Sequence, residues 1–139
     1  MLEMKHLRWL VLSLLLLTSC SRTPERILSR AWGIDVRKLD YEVELFKDER
    51  RGSETTTEIR MKVALSEKDI DKLIAKGTHE LPFVYSSDKA VIERLSGLEG
   101  ISNGVYSGQS DDKSIKSEYL LYDRDSQTLY YYNDELHWL

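Results

Sequence analysis

One cysteine, two prolines and three histidines in 139 residues exclude several kinds of protein at once. A single thiol forms no internal disulfide, so stability has to come from a hydrophobic core and not from a disulfide framework. Zinc sites draw on cysteine and histidine, and with so few of both a dedicated site would have to lean on carboxylates. Scarce proline beside a hydrophobic content of 41% does not describe a disordered tether. Long apolar runs are missing as well. The stretch Trp9 to Leu17, interrupted by Ser13, has nine residues, against the roughly 20 that a membrane-spanning helix needs. Nor is there an excess of basic charge: 20 Lys and Arg stand against 24 Asp and Glu, a poor match to nucleic-acid binding. No internal repeat or low-complexity tract occurs.

What is present begins with the position of that cysteine. Lys5, His6 and Arg8 supply a positive start, the short apolar stretch follows, and Leu17, Thr18 and Ser19 lead into Cys20, the layout of a removable secretory signal. The tetrapeptide Leu17-Thr18-Ser19-Cys20 resembles the lipobox of bacterial lipoproteins. The resemblance covers about the first 21 residues. It implies that residues 1–19 are a signal peptide, that the Cys20 sulfur is diacylated, and that the new amine of Cys20 takes a third chain in some members. Each buried methylene contributes about 0.8 kcal/mol, and two or three chains anchor stably where one does not. An ordinary secreted protein cut near Ser19 would keep a free thiol, a reactive liability. In Gram-negative members an acidic residue after the cysteine favours the inner membrane; Ser21 departs from that, which implies the outer membrane.

The same resemblance makes residues 20–24 a lipidated N-terminus with a short tether and residues 25–139 a single domain. Loss of residues 1–19 removes Lys5, Arg8 and Glu3 and moves the net charge from −4 to −5. Three extended residues reach only about 10 Å, so the domain is expected close to the lipid surface.

Along the domain, Thr23 and Pro24 open a short helix with Ile27, Leu28, Ala31 and Trp32 on one face, ended by Gly33. Residues 39–47 alternate Leu39, Tyr41, Val43 and Leu45 with Asp40, Glu42 and Glu44, a strand with its apolar side inward. Thr57, Ile59, Met61, Val63 and Leu65 repeat the pattern, and Asp48 to Ser53 reads as the loop of a hairpin. Opposing Glu42 to Lys62 and Glu44 to Arg60 avoids like charges across the pair. Ser66 and Asp69 start a second helix, with Ile70, Leu73 and Ile74 buried and Gly77 at its end. Ser86 or Ser87 caps a third, carrying Ala90, Val91, Ile92 and Leu95 and ended by Gly97.

Four of the seven glycines, Gly97, Gly100, Gly104 and Gly108, mark a long loop. Ile115 to Tyr122 and Thr128 to Asn133 form a second hairpin about Asp123-Arg124-Asp125-Ser126. The expected fold is α+β: an antiparallel sheet of about four strands in two hairpins, with two or three helices packed mainly on one face.

Three patterns mimic known chemistry. Gly100-Ile101-Ser102-Asn103-Gly104 has the G-x-S-x-G form of a nucleophile elbow, with His137 downstream, but an elbow needs a strand before its serine and a helix after it. The same loop lacks the G-K-[ST] ending of a P-loop. His79-Glu80 begins like a zinc-protease helix, yet Phe83 stands where the second histidine is required. Asp123, Asp125, Gln127 and Asp134 have calcium-loop spacing, but Thr128 replaces the necessary glycine and a plain turn explains the same residues. No metal or cofactor is therefore expected.

Aromatic rings remain. Tyr106, Tyr119, Tyr122, Tyr130, Tyr131 and Tyr132 gather near the glycine-rich segment and the second hairpin. Such rings either fill a core with their hydroxyls at its rim or present a face to a peptide or glycan. The expected function is that of a membrane-anchored envelope lipoprotein, non-catalytic, binding a protein, glycan or other envelope ligand. An immunity or inhibitor lipoprotein is a close variant, and a small serine hydrolase using Ser102 and His137 is the alternative from another class.

Overall fold

The structure, a computed structural model, describes residues 22–75, 79–81, 84, 88–97, 101–110 and 116–136. Helix α1 (Pro24–Trp32) is followed by a 3-10 turn at Val36–Lys38, strands β1 (Tyr41–Arg51) and β2 (Glu54–Val63), and helix α2 (Glu67–Ala75). Then come the two-residue strand β3 (His79–Glu80), helix α3 (Lys89–Ser96), and strands β4 (Gly104–Ser110), β5 (Lys116–Asp123) and β6 (Thr128–Leu136). The six strands form one sheet in the order β1-β2-β6-β5-β4-β3, antiparallel at every pairing. The domain is α+β, with six strands among the described residues where about four were expected.

The helix starts follow their sequence signals. Thr23 accepts from the Arg26 amide at 3.3 Å, Pro24 occupies the first turn, and Gly33 ends α1 in the left-handed region. At α2 the Ser66 hydroxyl accepts from the Asp69 amide at 3.2 Å and donates to the Asp69 carboxylate at 2.9 Å. Ile70 and Leu73 are buried as expected, whereas Ile74 is 38% exposed. The expected caps Ser86 and Ser87 lie outside the described residues; the residue at the start of α3 is Asp88, which makes no capping bond.

Two cores lie on opposite faces of the sheet, because side chains alternate along each strand. On the first face, Ile27, Leu28 and Trp32 of α1, Val36, and Ile70 and Leu73 of α2 meet Ile59, Met61, Val63, Val105, Leu120, Tyr122, Leu129 and Tyr131. On the second, Ile92 and Leu95 of α3 pack with Leu81 on Tyr106, Tyr119 and Leu121. Helices therefore cover both faces, two on one and one on the other. That explains why Leu120, Leu121 and Tyr122 run on as consecutive apolar residues: a strand buried on both sides has no polar face.

The glycine segment is only partly a loop. Gly104 and Gly108 lie in β4, paired with Asp123 and Tyr119 of β5. A methyl group on Gly104 would collide with the Tyr122 carbonyl, and one on Gly108 would sit 2.7 Å from the Tyr119 ring. Both glycines mark close approach within a sheet.

The first hairpin also differs from expectation. Arg51 pairs with Glu54, so the loop shrinks to Gly52-Ser53, with Gly52 at φ 59° as a type II′ turn requires at its first central residue. Glu42 faces Lys62 and Val43 faces Met61, but the register then slips so that Leu45 faces Arg60 and Phe46 faces Ile59. The bulged Glu44 still reaches Arg60, Nε to Oε2, at 3.2 Å. As the outermost strand, β1 has little above it: Tyr41 and Val43, expected inward, are 37% and 36% exposed, and Phe46 is 37% exposed. Its bulge and its charged Lys47 to Arg51 segment are the usual protection of an open edge.

Candidate functional site

The six tyrosines singled out in the sequence do not share a face. Tyr122 and Tyr131 belong to the first core, and Tyr106 and Tyr119 to the second, with Tyr130 and Tyr132 packed against it. Tyr106, Tyr119, Tyr122 and Tyr131 are at most 4% exposed. Their hydroxyls have structural partners. That of Tyr122 donates to the Val63 carbonyl at 2.8 Å and accepts from the Leu65 amide at 3.1 Å, tying the end of β2 to the sheet centre. That of Tyr106 faces Asp88 at 3.4 Å, and Arg94 lies 4.4 Å above the Tyr132 ring, a cation–π contact.

Burial is the largest cause that pushes the phenol pKa of Tyr119, Tyr122, Tyr130 and Tyr131 upward, and the Glu118 carboxylate adds to it at Tyr131. The unfolded chain releases these protons near about pH 10 and the folded one only above it, so their contribution to stability is full below about pH 10 and lost as pH rises further. Alkaline titration should accordingly show the phenolate absorbance of these rings emerging together with loss of far-ultraviolet circular dichroism, not before it.

The other sequence candidates disperse. Ser102 is exposed, with α3 before it and β4 after it, the reverse of an elbow, and His137 lies outside the described residues, as does Cys20. His79 is in β3, its ring 5.3 Å from that of Tyr106, and Glu80 holds Arg124 through two bonds of 3.1 and 3.3 Å. Asp123 uses both oxygens on its own turn, accepting from the Asp125 amide at 3.1 Å and the Ser126 hydroxyl at 2.7 Å. Asp134 sits towards the opposite end of β6, so the calcium-like set does not converge. Among the described residues no three acidic, histidine or cysteine side chains group as a metal site, and no helix is long and apolar enough to cross a membrane.

A different feature has the geometry of a site. Between α1 and the ends of β5 and β6 lies a cavity of about 410 Å³, within the usual range for small-molecule pockets. Arg22, Arg26 and Arg30 line it from the N-terminal segment and α1; Lys116, Glu118, Tyr131, Asn133 and Glu135 line it from the sheet, with Ile27 and Ala31 between. Four cations thus face two carboxylates. Arg22 is committed to Asp48 at 3.5 Å and Lys116 lies 3.8 Å from Glu118, but no ion pair among the described residues uses Arg26 or Arg30.

The cavity floor follows from register. Asp48, Thr57, Asn133 and Glu118 form one row across β1, β2, β6 and β5. The Thr57 hydroxyl donates to Asp48 at 2.9 Å and the Tyr131 hydroxyl donates to Glu118 at 2.9 Å. Asn133 is 4% exposed, and its Oδ1 has no hydrogen-bond partner. Leaving a buried acceptor unpaired costs about 1–3 kcal/mol, and this oxygen is itself fully buried, so that cost is carried by the fold. The available sequence signal was Arg26 and Arg30 at four-residue spacing, which places them on one side of α1, with Arg22 just ahead of its cap.

No protein-family model, curated protein or solved structure matches this chain.

Proposed function

We propose that this chain is a non-catalytic binding lipoprotein of the bacterial cell envelope, anchored through lipids on Cys20, which takes a small anionic ligand into the cavity beneath α1. The observation that carries the reading is the pair Arg26 and Arg30, exposed on the wall of this cavity and free of carboxylate partners among the described residues. Arginine is suited to this role because its planar fork meets phosphate or carboxylate oxygens two at a time. Location adds to it: Arg22 is the second residue after Cys20, so the anchor can lie no more than about 7 Å of chain from the cavity rim.

The test is calorimetric titration of the membrane-processed protein, held in a non-ionic detergent, with inorganic phosphate. Binding should weaken as salt is raised, since partly exposed charges are screened. The exposed double variant Arg26→Ser/Arg30→Ser should fold normally and bind at least about tenfold more weakly, from loss of charged hydrogen bonds of about 1.5–3 kcal/mol each. Equal binding by the variant and the parent would remove the reading.

A further inference from the structure

The exposed apolar side chains are not scattered. Among the described residues the large hydrophobic side chains left exposed are Tyr41, Val43, Phe46 and Ile74, and three of these four belong to β1. Across β2 they face Val63, Met61 and Ile59, and further along Asp48 faces Thr57 and Arg50 faces Thr55. Opposed residues share a face of a sheet. Tyr41, Val43, Phe46, Asp48 and Arg50 therefore form one row, on the face that also carries α1.

This row is tied twice to the segment that follows Cys20. Arg22 Nη1 lies 3.5 Å from the Asp48 carboxylate, and the Tyr41 hydroxyl donates to Glu25 of α1 at 3.0 Å. Val43 and Phe46 lie between the two ties. Cys20 is two residues ahead of Arg22, no more than about 7 Å of chain, and Phe46 is two residues from Asp48, about another 7 Å along the strand. A lipid on Cys20 thus holds this row close to the bilayer surface. Glu25 and Asp48 are engaged by the ties, whereas Arg50 is exposed and takes part in no ion pair among the described residues.

A protein partner would find too little here. At 36–37% exposure, three side chains of at most about 250 Å² each show under about 300 Å², well short of the roughly 800 Å² per partner of a stable interface. A second copy adding its strand to the β1 edge would meet the bulge after Val43, which interrupts the ladder. A bilayer needs no such area. The covalent anchor already supplies the affinity, and a few apolar side chains beside it have only to set the orientation.

We infer that this row is a membrane-contact surface: Val43 and Phe46 enter the headgroup–acyl boundary of the anchoring bilayer, with Arg50 on lipid phosphate. It rests on the lipid anchor at Cys20 and is independent of the cavity. Helix α3, packed on the opposite face of the sheet, then points away from the membrane.

The test uses the chain's own chemistry, because a cysteine placed in the domain is the sole free thiol once Cys20 is acylated. Val43→Cys, Phe46→Cys and Lys89→Cys, each carrying a nitrobenzoxadiazole label, are reconstituted as processed protein at one copy per nanodisc of phosphatidylethanolamine and phosphatidylglycerol. Two positions in the row keep the test readable if one label disturbs the fold. Lipid bearing a doxyl group near its headgroup should quench the labels at 43 and 46 at least about threefold more strongly than the label at 89 on α3, since only the former reach the headgroup–acyl boundary. Adding Arg50→Glu should lower the quenching at 46 and leave retention by the discs unchanged.

Equal quenching at 46 and 89 in protein retained by the discs would overturn the inference and leave the anchor standing. Protein that the discs do not retain would refute the anchor and the inference with it. Blue-shifted emission at 46 that appears only with two copies per disc, and that doxyl lipid does not quench, would assign the row to a second copy and overturn the inference as well.

Discussion

A Gly104→Ala variant is expected to melt at least about 10 °C below the parent, a loss of about 3 kcal/mol at roughly 4 °C per kcal/mol for a domain of this size. The added methyl would run into the Tyr122 carbonyl oxygen, a backbone atom with no rotamer to move to. Relief would require β4 to part from β5, where Gly104 to Ser110 pair with Asp123 to Ser117. Strand β5 cannot yield in turn, since β6 holds it from Lys116 to Asp123 and the Tyr122 hydroxyl fastens it to Val63 and Leu65. The Gly104 carbonyl also accepts from the Leu81 amide at 2.9 Å, so a shift would disturb the segment beside β3. Ser102→Ala, two residues earlier at an exposed position, should leave the melting temperature within about 2 °C of the parent. A Gly104→Ala protein as stable as the parent would show that the β4–β5 contact is looser than these distances imply.

Cys20→Ser is expected to move the protein off the membrane. The variant should lose incorporation of labelled fatty acid, accumulate with residues 1–19 attached, and fall at least about tenfold in the membrane fraction at carbonate pH, because each lost methylene removes about 0.8 kcal/mol of anchoring. Among the described residues no helix is long and apolar enough to cross a membrane. A variant that is cut at the same place and sediments with membranes as before would refute lipidation at Cys20.

Legibility in the sequence followed physical rules. Strand β2 announced itself because it is half-buried, and Thr55, Thr57, Ile59, Met61 and Val63 alternate with polar neighbours. Helix α1 was readable because Thr23, Pro24 and Gly33 each obey a local rule that needs no tertiary partner. Strand β4 was hidden by its glycines, whose reason is the passing Tyr122 backbone and the Tyr119 ring, neither of which leaves a trace in β4 itself. The Glu42 to Lys62 register followed from charge, but the slip after Val43 did not, since a bulge depends on how a strand edge twists. Most of the site lay outside local reading for the same reason. Arg26 and Arg30 look like any solvated helix face until β5 and β6 bring Glu118, Asn133 and Glu135 beneath them, a juxtaposition across 88 or more residues of chain.

The claim that binding resides beneath α1 is tested most directly at Asn133. In isotope-labelled, membrane-processed protein titrated with inorganic phosphate, the Asn133 side-chain amide resonances should shift saturably, and should stay fixed in Arg26→Ser/Arg30→Ser. Shifts centred instead on Ser102, Tyr106 and Tyr119, with Asn133 unmoved, would contradict the account.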